Sequence, residues 1–259
     1  MNRARIGIIC GVGLEELHPE GTDLRVGTPF GSPPIMRLAS VGDVDVVFLT
    51  RRGSRHNQPP HLTNYRANIY GLHELGVERI IGTDVTQMID VPSRKSAIAI
   101  PSDLIDLSGR LGSTFYDEAP AVQIDMGYPF CPEIRSSLLD SARELGIKAE
   151  TESVYVCVEG PRFRTPAEIQ ALKILGGDLV GMDLAPEVFL ARELGMCYSA
   201  VTVLFDGNKG KQTAPAAVRL IEAAKNSAST LKEIVITAIK EVPVRRRCFC
   251  ARGPEETII

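Results

Sequence analysis

Short apolar runs alternate with segments of helical spacing along this 259-residue chain. Residues 5–10, apolar from Ile6 onward, end in the turn Gly11-Val12-Gly13, and residues 44–50 form a second run rich in Val, Phe and Leu. Both are predicted as buried strands. Residues 28–34, dense in proline and glycine, read as a loop between them. In residues 65–75, Ala67, Ile69, Leu72 and Leu75 recur on one helical face, and Gly76 follows as a C-cap. Further strands are predicted at 77–82, 97–100, 153–158 and 196–205, with a short apolar piece at 180–182 and an acidic stretch at 103–106. Helices are predicted at 132–145, with Pro132 suited to the first turn, at 165–175, and at 185–194 before Gly195. Residues 214–240 place Val218, Leu220, Ile221, Leu231, Ile234, Val235, Ala238 and Ile239 on one long helix. The alternation predicts a single α/β domain over residues 1–259, with a central mixed sheet flanked by helices. Residues 243–259 are expected as a C-terminal tail packed on the domain surface or on a neighbouring subunit.

Composition narrows the function classes. Hydrophobic residues make up 44% and charged residues 24%, and the formal net charge is -3. No clustered basic face points to nucleic acid or an anionic membrane. The apolar run after Arg3 and Arg5 is too short for a signal peptide, and no segment approaches the roughly 20 apolar residues of a membrane span. A cytoplasmic protein is expected. Cys10, Cys157 and Cys197 sit in apolar runs as buried thiols, and Cys248-Phe249-Cys250 is the one close cysteine pair. A bond between those two would close a very small loop, so they are expected to be thiols and dispensable for folding. The four histidines have no cysteine or carboxylate around them in a ligand pattern, and neither a metal nor an organic cofactor is expected.

Six motifs then fall in a recognisable order: Ile8-Ile9-Cys10-Gly11-Val12-Gly13-Leu14; Thr28-Pro29-Phe30-Gly31; Arg51-Arg52-Gly53 with His56; Asn64-Tyr65-Arg66-Ala67-Asn68; Glu159-Gly160-Pro161-Arg162-Phe163; and Gly181-Met182-Asp183 with Pro186-Glu187. This set, with the terminal Cys-x-Cys, resembles the trimeric purine nucleoside and methylthioadenosine (or methylthioinosine) phosphorylases over nearly the whole chain. The resemblance implies the nucleoside phosphorylase fold, a homotrimer or dimer of trimers, and a nucleoside substrate with phosphate as co-substrate. In that chemistry phosphate attacks C1′ as the bond to the purine breaks, through a transition state that resembles an oxocarbenium ion.

The family's phosphate turn maps onto Gly11, Val12 and Gly13, where Val12 removes the usual hydroxyl donor. Arg51 keeps the family's arginine, and Arg52 replaces a histidine. The third contact segment maps onto Val85 and Thr86, with Gln87 at the family's glycine. Asp183 stands where a threonine holds phosphate. A carboxylate about 4 Å from a phosphate charge costs on the order of 4 kcal/mol at an effective dielectric of 20. Arg52 and Asp183 are expected to face each other as an ion pair, either filling an abandoned anion site or forming part of an altered one. Met182 matches the residue under the ribose, and Phe163 the aromatic that faces the purine. Phe205 falls at the base-reading position, with Asp206 one residue later and Asn208 three later, in what also reads as an ordinary turn. His56 maps beside the sugar, and Gln123 maps where a neighbouring subunit offers a histidine near the 5′ group. Glu159, Arg162 and Glu187 are expected to be mainly structural.

Three readings remain open at this point. The first is an enzyme acting on the nucleoside N-glycosidic bond by phosphorolysis, with altered phosphate and base sites. The second is a hydrolase in which Asp183 activates water. The third is a non-catalytic nucleoside-binding relative.

Overall fold

The computed structural model describes residues 6–12, 15, 20–53, 58–89, 96–109, 112–118, 122–206 and 214–252. The chain opens with β1 (Ile6–Cys10), followed by β2 (Thr22–Leu24), β3 (Met36–Val41) and β4 (Val44–Thr50). Next come α1 (Tyr65–Glu74) and β5 (Arg79–Met88), then β6 (Ile98–Ala99), β7 (Asp103–Leu107), α2 (Pro132–Glu144) and β8 (Ala149–Glu150). The last part holds β9 (Val154–Val158), α3 (Pro166–Ile174), β10 (Leu179–Gly181), α4 (Leu184–Glu193), β11 (Cys197–Phe205) and α5 (Ala216–Glu241). The expected α/β class with a mixed central sheet is what the chain forms.

The strands make one 11-stranded sheet, in which β5 is the shared member. β11 pairs with it in parallel from Cys197↔Arg79 to Phe205↔Gln87. Its other edge is divided: β1 pairs in parallel with Arg79 to Gly82, and β10 pairs antiparallel with Gln87 and Met88. Alternation along β1 sends Ile6, Ile8 and Cys10 to one face, where α2 and α5 supply Ile134, Leu138, Leu231, Ile234 and Val235. Ile9 points to the other face, among Ile69 and Leu72 of α1 and Leu184, Val188 and Leu190 of α4. The core is thus two apolar layers around the sheet. A smaller cluster joins Ile169 and Leu172 of α3 to Val156, Val158 and Val180. No helix among the described residues is long and apolar enough to cross a membrane.

Helix ends follow local chemistry. The Asn64 side chain accepts from Ala67 N at the start of α1. Thr165 and Glu168 form a reciprocal capping box at α3, with Pro166 in its first turn. The tail to residue 252 lies on the domain itself: Arg247 N donates to Glu133 Oε1 (2.7 Å), and Arg246 Nη1 to Gly195 O (2.8 Å). Two sequence expectations need correction. The strand predicted at 77–82 continues to Met88, because residues 83–87 pair with β11 and residues 87–88 with β10 instead of turning away. Spacing along the sequence, in which no metal-ligand pattern stood out, also missed a cysteine cluster. Cys131, Cys197, Cys248 and Cys250, remote in sequence, have all four sulfurs within 4.8 Å of one another.

Candidate functional site

The division of the β5 edge creates the site. Between the stretch held by β1 and the stretch held by β10, Thr83 to Thr86 face neither strand. Thr83 stitches the near side: its Oγ1 accepts from Gly11 N (3.0 Å) and donates to Ile9 O (3.1 Å). Only glycine fits at position 11, since a Cβ there would lie 2.7 Å from Thr83 O. A narrow pocket opens at this divergence. Val12, Val85, Met182, Phe163 and Phe205 contribute to its apolar wall, and Asp84, Arg52 and Asp183 to its charged floor. The Phe163 and Phe205 rings meet edge to face at 6.1 Å between centroids.

The floor is a closed set of ion pairs. Arg52 Nη2 reaches both Asp183 oxygens at 2.7 Å, which is the expected pair. Tyr65 OH also donates to Asp183 Oδ1, and Arg52 Nε donates to Thr63 Oγ1 (3.3 Å). Asp183 occupies the N-cap position of α4 without capping it, because its oxygens turn to Arg52 and Tyr65. Arg51, expected as a phosphate contact, is buried and engaged with protein groups. Its Nε and Nη2 donate to Glu187 (2.6 and 3.0 Å), and its Nη1 to Thr83 O (3.0 Å). Burial works against the charge of Arg51, but Glu187 and Asp183 more than offset it and hold the guanidinium protonated. Glu187, expected to be mainly structural, is fully buried, and Tyr198 OH also donates to it, at 2.6 Å.

Asp84 is the residue that the sequence reading passed over. Its Oδ2 accepts from Tyr155 OH (2.9 Å) and its Oδ1 from Val85 N (2.8 Å). The Tyr155 oxygen in turn accepts from Asp183 N (3.1 Å). Burial and the neighbouring Asp183 charge push the Asp84 carboxyl up to about 7, against the opposing pull of Arg51 and the two hydrogen bonds. The signal was present as a carboxylate inside the apolar run Ile80 to Val85. This shift has a definite sign. A folded-state pKa above the unfolded value means that the native state holds the proton more tightly, so stability falls as pH rises from about 4 to about 7. Asp84→Asn is expected to flatten that dependence, so that the melting-temperature difference from the parent shifts in the variant's favour between pH 5 and pH 8. Parallel melting curves that keep a constant offset would contradict this.

The other expected residues are distributed as follows. Val85, Met182, Phe163 and Phe205 line the pocket, as do Val12 and Gln87. Thr86 does not: it is buried in the sheet, with its hydroxyl donating to Thr202 Oγ1 (3.1 Å). Asp206 also lies off the pocket lining, and its carbonyl accepts from Arg219 Nε (2.9 Å). Gln123 is exposed on the segment before α2, away from the pocket of its own chain. Gly13, His56 and Asn208 lie outside the described residues. Arg162 pairs on the surface with Glu168, whose carboxyl it draws down to about 2. Two polar atoms stand out in the lining. The amide Nε2 of Gln87 and the Nε of Arg164 are buried and have no hydrogen-bond partner among the described residues. Unsatisfied buried donors of this kind suit ligand acceptors.

Fold and site together define an α/β protein with a small-molecule pocket at the split of its sheet, apolar on the walls and ion-paired on the floor. Residues 5–240 match the Phosphorylase superfamily, and the chain belongs to that family. It is 39% identical over 251 residues to a probable S-methyl-5'-thioinosine phosphorylase of Thermodesulfovibrio yellowstonii, covering 96% of this chain and 95% of that one. It is 40% identical over 257 residues to a 6-oxopurine nucleoside phosphorylase of Pyrococcus furiosus, covering 95% and 96%. Among solved structures, a methylthioadenosine phosphorylase from an antarctic soil metagenomic library superposes with a TM-score of 0.89 at 27% identity, covering 100% of this chain and 93% of that one. Methylthioadenosine phosphorylase from Schistosoma mansoni with adenine gives 0.86 at 29% identity, covering 94% and 93%.

Proposed function

We propose that this chain is a purine nucleoside phosphorylase-like protein whose pocket receives a nucleoside of the methylthioadenosine or methylthioinosine type, and whose use of phosphate is strongly weakened. One observation carries this reading: the largely apolar pocket between Phe163, Phe205 and Met182 ends on the Arg52–Asp183 pair. The walls formed by Phe163, Phe205 and Met182 suit a purine and a ribose. Gln87 Nε2 and Arg164 Nε offer donors for acceptors on the base or sugar. The floor offers a dianion little. Both arginines are matched by Asp183 and Glu187, and Asp84 adds a further, partly ionised carboxylate. The same network counts against Asp183 as a base for water, because Arg52 and Tyr65 occupy its oxygens. Asp84, titrating near neutrality in the pocket lining, is the better placed proton donor for a departing purine.

The test is a panel of purine nucleosides, with and without phosphate, followed by release of free base and by calorimetric binding. Measurable nucleoside binding is expected, with phosphorolysis of inosine, adenosine and methylthioadenosine below a kcat/KM of about 10⁴ M⁻¹s⁻¹. Phosphorolysis at or above that value would overturn the claim of weakened phosphate use. Release that ignores phosphate would overturn the phosphorylase-like reading itself. A homotrimer, or a dimer of trimers, completes the proposal, with Gln123 on an exposed segment able to face a neighbour. A monomer by light scattering would remove that part.

A further inference from the structure

We propose that Cys131, Cys197, Cys248 and Cys250 form a closed site for one zinc ion, which clasps the C-terminal tail to the body of the domain. The four sulfurs lie within 4.8 Å of one another. A tetrahedral zinc tetrathiolate, with Zn–S near 2.3 Å, needs sulfur–sulfur separations of about 3.8 Å. Cys197 Sγ and Cys248 Sγ are 3.4 Å apart, far longer than a disulfide bond of about 2.05 Å, and all six cysteines are free thiols. The four come from three separate parts of the chain. Cys131 is the N-cap residue of α2 and makes no side-chain cap bond, so its sulfur is not committed to the helix. Cys197 opens β11. Cys248 and Cys250 lie in the tail, whose last described turn is Phe249–Arg252.

Two of the ligands sit on a rigid frame. Cys131 N donates to Tyr198 O (2.7 Å), which locks the α2 start to β11, and Cys197 N donates to Glu78 O (2.9 Å). The tail is brought to that frame by its own bonds to Glu133 and Gly195. Cys131, Cys197 and Cys250 are buried, and Cys248 is half-buried, so the cluster is closed and suits a structural ion with no open coordination position. A soft, four-sulfur tetrahedral set selects zinc or iron over calcium or magnesium, and zinc is the common structural choice. Such a site carries net negative charge. Arg192 places a positive charge beside Cys250, and the tail supplies Arg245, Arg246 and Arg247 just before Cys248. None of the four cysteines lines the nucleoside pocket, so this site is independent of the proposed function. It also revises the expectation, drawn from spacing alone, that the Cys248–Cys250 pair is dispensable.

The test uses the full chain, purified with a thiol reductant and without chelators. Elemental analysis is expected to find one zinc per chain. Cobalt(II) titrated into metal-free protein should give the visible bands of a tetrahedral tetrathiolate. Removing zinc with a chelator should lower the melting temperature by about 5–10 °C. Cys250→Ser should bind cobalt at least about tenfold more weakly, whereas Cys157→Ser, outside the cluster, should keep the site. If Cys250→Ser does not fold, the cobalt spectrum of the parent chain decides alone. Sub-stoichiometric metal with freely reactive thiols would overturn the proposal. A non-reduced mass showing these cysteines paired as disulfides, in protein that takes up no cobalt, would overturn it equally.

Discussion

Asp183→Asn is expected to bind inorganic phosphate at least about 100-fold more tightly than the parent chain. The variant keeps the side-chain shape and removes one negative charge from a floor where Arg52 Nη2 now spends its bonds on both Asp183 oxygens. A unit charge about 4 Å away is worth on the order of 4 kcal/mol at an effective dielectric of 20, and partial neutralisation by Arg52 reduces that to the quoted gain. The same change leaves a buried guanidinium without its carboxylate, which costs about 3–5 kcal/mol. Two readouts should therefore move in opposite directions. The variant melts lower than the parent in anion-free buffer, and added phosphate restores most of the loss by mass action. A variant whose melting temperature ignores phosphate would show that the charge balance of the floor is not what excludes the anion.

Glu187→Ala is expected to be the most damaging single change to stability. Glu187 is fully buried and binds Arg51 through two hydrogen bonds of 2.6 and 3.0 Å. It also accepts from Tyr198 OH at 2.6 Å. Removing it strands a buried arginine and a buried phenol, at about 3–5 kcal/mol together. For a chain of this size that is a fall of roughly 10 °C in melting temperature. The double replacement Arg51→Met with Glu187→Leu should recover most of it, because the desolvation cost of both charges disappears together. Glu168→Ala supplies the contrast. Its pair with Arg162 is exposed to solvent, and only the α3 capping box is lost, so a much smaller change is expected. A loss for Glu187→Ala no greater than that of Glu168→Ala would discard the argument.

Periodicity located the buried elements well, because a continuous apolar run or a regular helical stripe leaves few alternatives. β4 spans the predicted residues 44–50, and α5 lies within two residues of its prediction at each end. Edge strands were not legible. β7 is half exposed and, among the described residues, pairs only with β9, so its acidic alternation reads as loop. β3, likewise part-exposed, carries no continuous apolar signal. In the site, motif order brought out Arg52, Asp183, Met182, Phe163 and Phe205, whose positions follow from strand ends. Asp84, Tyr155 and Tyr65 could not be read in that way, because their roles come from side chains meeting across elements remote in sequence. The cysteine cluster was hidden for the same reason, since ligand spacing was sought within one stretch of chain and the four thiols come from three.

The divided edge of β5 has a further consequence, for folding order. Among the described residues β1 and β10 do not pair, and the N-terminal strands β1 to β4 join the rest of the sheet only through β5. β5 in turn gains its longest partner, β11, only after more than a hundred intervening residues have been made. Loop closure of that span must precede the pairing that rewards it, which makes folding slow and contact order high. A chain truncated before β11 would carry a nine-residue β5 edge, Arg79 to Gln87, open to any other strand. Such fragments should aggregate rather than stand as stable half-domains, and amide protection in the intact protein should be greatest along β5 and β11 and appear last during refolding.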